Sequence, residues 1–287
     1  MNTVQTTVPA PAMRSMQWRS LEFILGALLT GVMLALVLLS VWIFPDRGSL
    51  MDLSARLTEP FAGWSHPLGT DPLGRDVLAR VLVGGRISLM VGFLSVLGAS
   101  ALGIVIGLIA GYYRGFWDML LMRCVDVQLA LPFILVALTF ISILGGGLGN
   151  IILFMMVSQW VQYARLVRGM VLSVREREFV QAARAFGVRD LAMIRHHILP
   201  NVLGPVLVLA TIQVATAIII EATLSFLGVG APPTSPSLGT LIRVGNNYLF
   251  SGEWWITVFP GLMLVLISLS VNLLGDWLRD ALNPKLR

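Results

Sequence analysis

The chain has 287 residues, of which 56% are hydrophobic and only 12% charged, and its mean hydropathy is +0.84. Soluble domains are roughly 45–50% apolar and about 25% charged. The composition excludes a disordered protein, a disulfide-rich secreted scaffold and a water-soluble enzyme, and it indicates a protein that crosses a bilayer several times. The net charge of +5 comes from basic residues between apolar runs rather than along one stripe, so we do not expect nucleic acid as a partner.

Six apolar segments are long enough to cross a bilayer, which takes about 20 residues. In chain order they are 23–44, 87–111, 119–144, 148–166, 202–228 and 254–275. We therefore predict an all-α membrane protein with six transmembrane helices. The remaining parts are a tail at 1–22, an exposed segment at 45–86, a membrane core at 87–275 with an exposed segment at 167–200, and a tail at 276–287.

The basic residues are distributed unevenly between the two sides that these spans define. If the N-terminus is cytoplasmic, 14 of the 20 Lys and Arg residues lie on the cytoplasmic side. Cytoplasmic loops of membrane proteins carry an excess of Lys and Arg. We predict that both termini and the segment 167–200 are cytoplasmic, and that 45–86 is extracytoplasmic.

Small residues recur every four positions along the second span, at Ser95, Ala99, Gly103, Gly107 and Gly111. Residues four apart share one helix face, so the pattern predicts a smooth surface against which another helix packs closely. A role in lining a conduit is the alternative.

Three ionisable residues fall inside or at the ends of the spans, where such groups are functional candidates by default. Asp126 and Asp276 have Arg123 and Arg279 close by in sequence, which predicts pairs within one helix. Glu221 has no local partner and is either a buried hydrogen-bonding group or part of a water-filled path. None of the three lies clearly at the midplane, which disfavours a proton-relay transporter.

The most basic exposed part of the chain, residues 175–200, has the pattern of two short helices. Apolar residues at helical spacing end at Gly187, a turn follows at Arg189, and a second short helix is predicted to end at Pro200. Too small to fold alone, this hairpin suits either a groove on another protein or a surface of lipid headgroups.

The hairpin also carries a sequence signature. Gln181-Ala182-Ala183, then Gly187, then Leu199-Pro200 resemble the coupling signature of binding-protein-dependent ABC importer permeases. Gln181 and His197 stand where the general signature has Glu and Ile. Further similarities are to the C-type subunit of dipeptide, oligopeptide and nickel permeases, over about 66–287. These lie at 68–76 (LGTDPLGRD), 122–126 (MRCVD) with 131–132, 224–228 (LSFLG) with 230–233, and 272–276 (NLLGD) with 278–280 and 284–285.

The resemblance implies a type I ABC importer permease fold in a bacterial inner membrane. It also implies that the hairpin docks on a separate ATPase subunit through Glu178, Gln181, Ala182, Ala183, Arg184, Gly187, Arg189, Leu199 and Pro200. Expected partners are a homologous second permease, two ATPase subunits, an extracytoplasmic binding protein and membrane lipid. ATP and Mg are expected on the ATPase subunits, because the single lysine, Lys285, is not in a phosphate-binding loop. We expect no catalytic residue, cofactor or metal in this chain.

Two further groups of candidates follow from the spans. Polar or glycine positions that could line or gate a path are Gln159, Glu221, Ser225 and Gly228. Outside the membrane, Asp71, Arg75 and Asp76 are either a structural turn or a contact for the binding protein. We expect Asp76 to cap a short amphipathic helix, and a second short interfacial helix from Leu238 to Tyr248.

The cargo predicted from the resemblance is a di- or oligopeptide. Glutathione, D-amino-acid dipeptides, opines and nickel remain alternatives, with nickel disfavoured because the outside segments lack a cluster of His and Cys. An ion-coupled secondary transporter and a structural membrane protein without a conduit are the competing classes. The first would need midplane charges or inverted repeats, and neither is evident.

Overall fold

Long apolar runs fold into long helices, because inside a bilayer the backbone must satisfy its own hydrogen bonds. The structure, a computed structural model, describes residues 50–231 and 236–282, and residues 28, 30–33, 35–37, 39, 40 and 42. The helices are α1 (Val77–Tyr113), α2 (Gly115–Ala130), α3 (Phe133–Leu144), α4 (Leu148–Val174), α5 (Glu178–Ala185), α6 (Asp190–Phe226), α7 (Leu238–Asn246) and α8 (Trp255–Leu282). The described part contains no β-strand, only an isolated bridge between Thr70 and Asp76, as the predicted all-α fold requires.

Three helices, α1, α6 and α8, are long and apolar enough to cross a membrane, and α2 with α3 would make a fourth span. The predicted fourth span corresponds to α4, whose 27 residues include several polar side chains. The tail at 1–22 and much of the first predicted span lie outside the described residues. The described residues of that span are helical, and the Thr30 hydroxyl donates to the Ser270 carbonyl oxygen at 2.9 Å. Six spans and cytoplasmic termini stay predictions.

The helix after Asp76 is much longer than expected. Asp76 caps it as predicted, since Oδ1 accepts from the Ala79 N–H at 3.1 Å. However, α1 continues without a break through 37 residues, so the prediction of a separate short helix before the second span was wrong. Gly84 and Gly85, near the start of α1, pack against Leu241 and Ile267, and this packing outweighs their low helix propensity.

The third predicted span is two helices rather than one. α2 and α3 meet at an angle of 94° at Leu131 and Pro132. Leu131 is extended, at φ −87° and ψ 132°, as expected for a residue before proline, and Pro132 has no N–H to continue the helix. We call this break the elbow.

The stripe of small residues on α1 faces α4, with which α1 makes its most extensive contact. A Cβ atom at Gly107 would lie 2.7 Å from the Ala164 carbonyl oxygen, and one at Gly111 would lie 2.8 Å from Val171 Cβ. The helix packing predicted from the spacing is therefore what the structure contains. This close pair positions the ends of α1 and α4, from which the hairpin projects.

Candidate functional site

The hairpin (residues 175–200) begins with α5, which ends at Gly187 as the sequence predicted. Gly187 has φ +78°, the left-handed conformation that favours glycine. Its N–H donates to the Arg184 carbonyl at 3.0 Å, and the Val188 N–H donates to the Ala183 carbonyl at 3.2 Å. These two bonds are the Schellman pattern of helix termination. Since a Cβ atom at Gly187 would meet nothing within 4 Å, backbone conformation and not space requires glycine there.

The second part of the hairpin differs from the prediction of a short helix that stops at Pro200. The helix starts at Asp190 and runs through Pro200 into α6 as far as Phe226. A π-helical turn at Ile194–Ile198 precedes the proline, and the Leu199 N–H bonds to the Ile194 carbonyl, five residues back. A wider turn accommodates the proline, which cannot donate a hydrogen bond and crowds the preceding turn. The hairpin is thus continuous with a predicted span.

Three side-chain contacts attach the hairpin to the end of α1. The Tyr112 hydroxyl donates to Asp190 Oδ1 at 2.6 Å. Arg175 Nη1 donates to the Tyr112 carbonyl oxygen at 2.8 Å, which satisfies one of the carbonyls left free at a helix end. The Arg184 guanidinium carbon lies 5.9 Å from the centre of the Tyr112 ring, within cation–π range. The hairpin is therefore fixed to α1 as well as to α4 and α6.

The tip of the hairpin exposes two large apolar side chains. Phe186 is 89% exposed and Leu191 is 77% exposed, on either side of Gly187. Of the predicted coupling residues, Ala183 is buried and Leu199 is half-buried. The others lie at the surface: Glu178, Gln181, Ala182, Arg184, Gly187, Arg189 and Pro200. Most of the predicted set is therefore exposed on the hairpin, beside an apolar tip whose exposure the sequence did not reveal.

Among the predicted path or gate residues, Glu221 lies at the centre of a hydrogen-bond network. Its side chain is fully buried, and its two carboxylate oxygens accept from Ser88 at 2.8 Å and Ser225 at 2.6 Å. Ser237 donates to Ser225 at 3.1 Å, and the Leu238 N–H donates to Ser88 at 3.3 Å. The network ties α1, α6 and the start of α7 together, and the sequence missed both Ser88 and Ser237.

The other two gate candidates lie apart from this network. Gly228 has φ +90°, and a Cβ atom there would lie 2.6 Å from the guanidinium carbon of Arg243. Gln159 lies on α4, where its amide is buried without a hydrogen-bond partner among the described residues. A gating role for Gln159, Glu221, Ser225 and Gly228 stays a prediction.

Outside the spans, Asp71 holds a tight turn together. It accepts from the Leu73 N–H at 2.8 Å and from Arg75 Nε at 2.7 Å, and it also pairs with Arg80. Asp71 and Asp76 are buried, so both carboxylates are used within the chain. Contact of Asp71, Arg75 and Asp76 with a binding protein stays a prediction. The most exposed apolar side chain of this segment is Trp64, at 98%.

The predicted pair within α2 is wrong. Asp126 bonds to Arg165 of α4, with 2.9 Å between Oδ1 and Nη2, and not to Arg123. A second ion pair joins Asp118 of α2 to Arg168 of α4. These pairs form because α2 lies along α4, a tertiary relationship that spacing along one helix does not reveal. Arg123 is left without an acidic partner in the part of the chain that the structure describes.

Comparisons with known proteins agree with this architecture. Residues 103–287 match the family model described as binding-protein-dependent transport system inner membrane component. The chain is 44% identical over 234 residues to the dipeptide transport system permease protein DppC of Alkalihalophilus pseudofirmus. This match covers 82% of this chain and 76% of that protein. It is also 38% identical over 263 residues to the glutathione transport system permease protein GsiD of Escherichia coli. That match covers 91% of this chain and 86% of that protein.

A solved structure shares the fold. It is a chain from inward-facing conformations of the MetNI methionine ABC transporter, with a TM-score of 0.58 and 22% sequence identity. The match covers 72% of this chain and 96% of that one, and at this identity it shows the fold alone. The family match, the identities to peptide permeases and the shared helical fold lead to one conclusion. The chain belongs to the binding-protein-dependent transport system inner membrane component family, and its relatives are ABC importer permeases of the peptide transport type.

Proposed function

We propose that this chain is one permease subunit of an ATP-driven importer of short peptides and forms half of the membrane path. The exposed tip of the hairpin is the observation that carries the proposal. Phe186 and Leu191 protrude into solvent while Tyr112, Arg175 and Asp190 hold their helices in place. Exposed large apolar groups on a rigid support are typical of a contact with another protein.

The partner at the tip is a separate ATPase subunit. This chain has one lysine and no phosphate-binding loop, so ATP and Mg would bind to that subunit. Closure of two such ATPases around ATP would push on the hairpin and, through α1, α4 and α6, on the spans. The hairpin would lie in the cytoplasm, with both termini on the same side of a bacterial inner membrane and six spans in all.

The complete importer would contain a second, homologous permease and an extracytoplasmic binding protein. The family description, which names binding-protein-dependent transport, supports the second of these partners. The names of the dipeptide permeases support a peptide cargo. Glutathione, opines and nickel are the alternative cargoes, and the binding protein is expected to decide among them.

The experiment replaces both apolar tip residues with serine, as Phe186→Ser with Leu191→Ser, in the assembled importer. We expect normal membrane levels but about tenfold less co-purified ATPase and a matching loss of ATP-driven dipeptide uptake, as for interface hot spots. The matched control is Phe250→Ser, which removes another almost fully exposed phenylalanine away from the hairpin. Unchanged ATPase retention and uptake in the double variant would contradict the proposal.

A further inference from the structure

A cavity lies beside the elbow. It lies between α2, α3 and α4, and its volume of about 700 Å³ is within the range of roughly 300–1,000 Å³ that small-molecule sites occupy. We call this space the elbow cavity, and its lining includes Arg123, Cys124, Phe133, Phe140, Phe154 and Gln162. A helix break within a span is tolerated where it is buried in protein or lines a water-filled space, and this cavity meets that requirement.

The lining of the elbow cavity is chemically divided. Three phenylalanines form an apolar wall, with ring centres 5.3 Å apart for Phe133 and Phe154 and 5.4 Å apart for Phe140 and Phe154. Gln162 is exposed, and its amide has no hydrogen-bond partner in the described residues. An amide carries both a donor and an acceptor, and the N–H and C=O of one residue in an extended peptide point to the same side.

The charge of the elbow cavity is positive. Arg123 lines it without an acidic partner among the described residues, because Asp126 is paired with Arg165. The cavity lining contains no acidic side chain and no histidine. The cavity thus favours a ligand with a negative group and disfavours a bare metal cation.

We propose that the elbow cavity is a contact site for the transported peptide, in which Arg123 receives the terminal carboxylate and the three phenylalanines receive an apolar side chain. The inference rests on the proposed function, since it names the part of this subunit that touches the cargo. Guanidinium and carboxylate match in charge and in hydrogen-bond geometry. Gln162 supplies the polar contact to the peptide backbone between these two ends.

Cys124 allows a direct test, because it is the single cysteine of the chain and lines the same cavity. The complete importer, with cysteine-free partner subunits, is reconstituted and labelled with a water-soluble maleimide. The probes are the dipeptide Ala-Phe and its C-terminal amide. We expect saturating Ala-Phe to slow the labelling of Cys124 at least threefold, and the amide to require about 1.5-fold to fivefold higher concentration, the range for a partly exposed ion pair.

Two variants show whether Arg123 causes the difference in protection between the acid and the amide. Arg123→Gln should remove the difference between the acid and the amide, with protection expressed relative to the labelling rate of the same variant without peptide, since loss of a neighbouring cation also changes the reactivity of a thiol. Arg279→Gln, at another exposed arginine on α8, should behave like the unaltered chain. The proposal is overturned if Ala-Phe gives no protection, if acid and amide protect equally, or if inorganic phosphate protects as well as Ala-Phe.

Uptake measured in the same vesicles separates this inference from the proposed function. ATP-driven uptake of Ala-Phe without protection of Cys124 would overturn the contact site alone. Absence of both ATP-driven peptide uptake and protection would overturn both proposals.

Discussion

The hydroxyl of Tyr112, next to last in α1, donates a hydrogen bond of 2.6 Å to Asp190, the first residue of α6. Arg175, which follows α4, donates to the backbone carbonyl of the same tyrosine. One residue therefore joins the ends of three helices at the base of the hairpin. A force applied at the hairpin tip reaches α1 through these bonds as well as along the chain.

Removing the hydroxyl in Tyr112→Phe should weaken this junction without unfolding the hairpin, whose Val180 and Met193 stay buried. A hydrogen bond to a charged carboxylate contributes about 1.5–3 kcal/mol. We expect a loss of that size in the free energy of unfolding in detergent, and less peptide imported for each ATP hydrolysed. Tyr113→Phe is the control, since that hydroxyl has no partner among the described residues. Equal behaviour of the two variants would count against the junction.

Replacing Gly187 with valine should uncouple ATP hydrolysis from uptake while membrane insertion stays normal. A side chain in the left-handed conformation costs roughly 1–2 kcal/mol, and a β-branched residue fits there worst. The helix end would rearrange and displace Phe186 and Leu191. Uptake and ATPase activity are measured in reconstituted vesicles. In Gly169→Ala, at an exposed position of α4 with open space around the Cβ position, both should be unchanged. Normal uptake in Gly187→Val would contradict the coupling role.

Glu221→Ala should destabilise the protein by roughly 2–4 kcal/mol, because it opens a cavity and leaves the buried hydroxyls of Ser88 and Ser225 without their acceptor. Glu221→Gln keeps the shape and one acceptor oxygen, so it should cost less. Thermal unfolding in detergent gives the order of the two. Glu176→Ala, at an exposed carboxylate, serves as the control. If Glu221→Ala were as stable as the control, the hydrogen-bond network around Glu221 would not be stabilising the fold.

Asp71→Asn should strongly destabilise the outer turn, since it leaves the buried Arg80 without its partner. Loss of one member of a buried pair costs about 3–5 kcal/mol. Limited proteolysis of the segment 50–76 reports local opening, and Asp52→Asn tests an exposed aspartate of the same segment. Equal protection of the two variants from protease would show that Asp71 does not hold the turn.

The sequence predicted features that depend on local chemistry. Asp76 caps α1, Gly187 ends α5, and the stripe through Gly107 packs against a helix, because each needs only a local residue type or a fixed spacing. Two other local predictions were wrong, because features that no short pattern marks override them. Asp126 pairs with Arg165 of another helix, and the helix through Pro200 continues because a π-turn accommodates the proline.

The candidate site was predicted only in part, because local patterns do not reveal contacts between distant residues. The signature from Gln181 to Pro200 located the hairpin, but its attachment depends on Tyr112, almost 80 residues earlier, which no local pattern marks. The apolar tip carried a weak signal, since Phe186 is the last of the apolar residues at helical spacing before Gly187. Only the fold shows that its side chain and that of Leu191 are exposed.

Cross-linking at the tip shows directly whether the hairpin docks on an ATPase subunit. A single cysteine is introduced as Phe186→Cys in a Cys124→Ser background, and the assembled importer is treated with a short thiol cross-linker. We expect a cross-link to the ATPase subunit that changes in yield when ATP is added. Trp64→Cys, in the outer segment and equally exposed, should give none to that subunit. No cross-link from position 186, or an equal one from position 64, would contradict the claim that the hairpin is the docking surface for the ATPase.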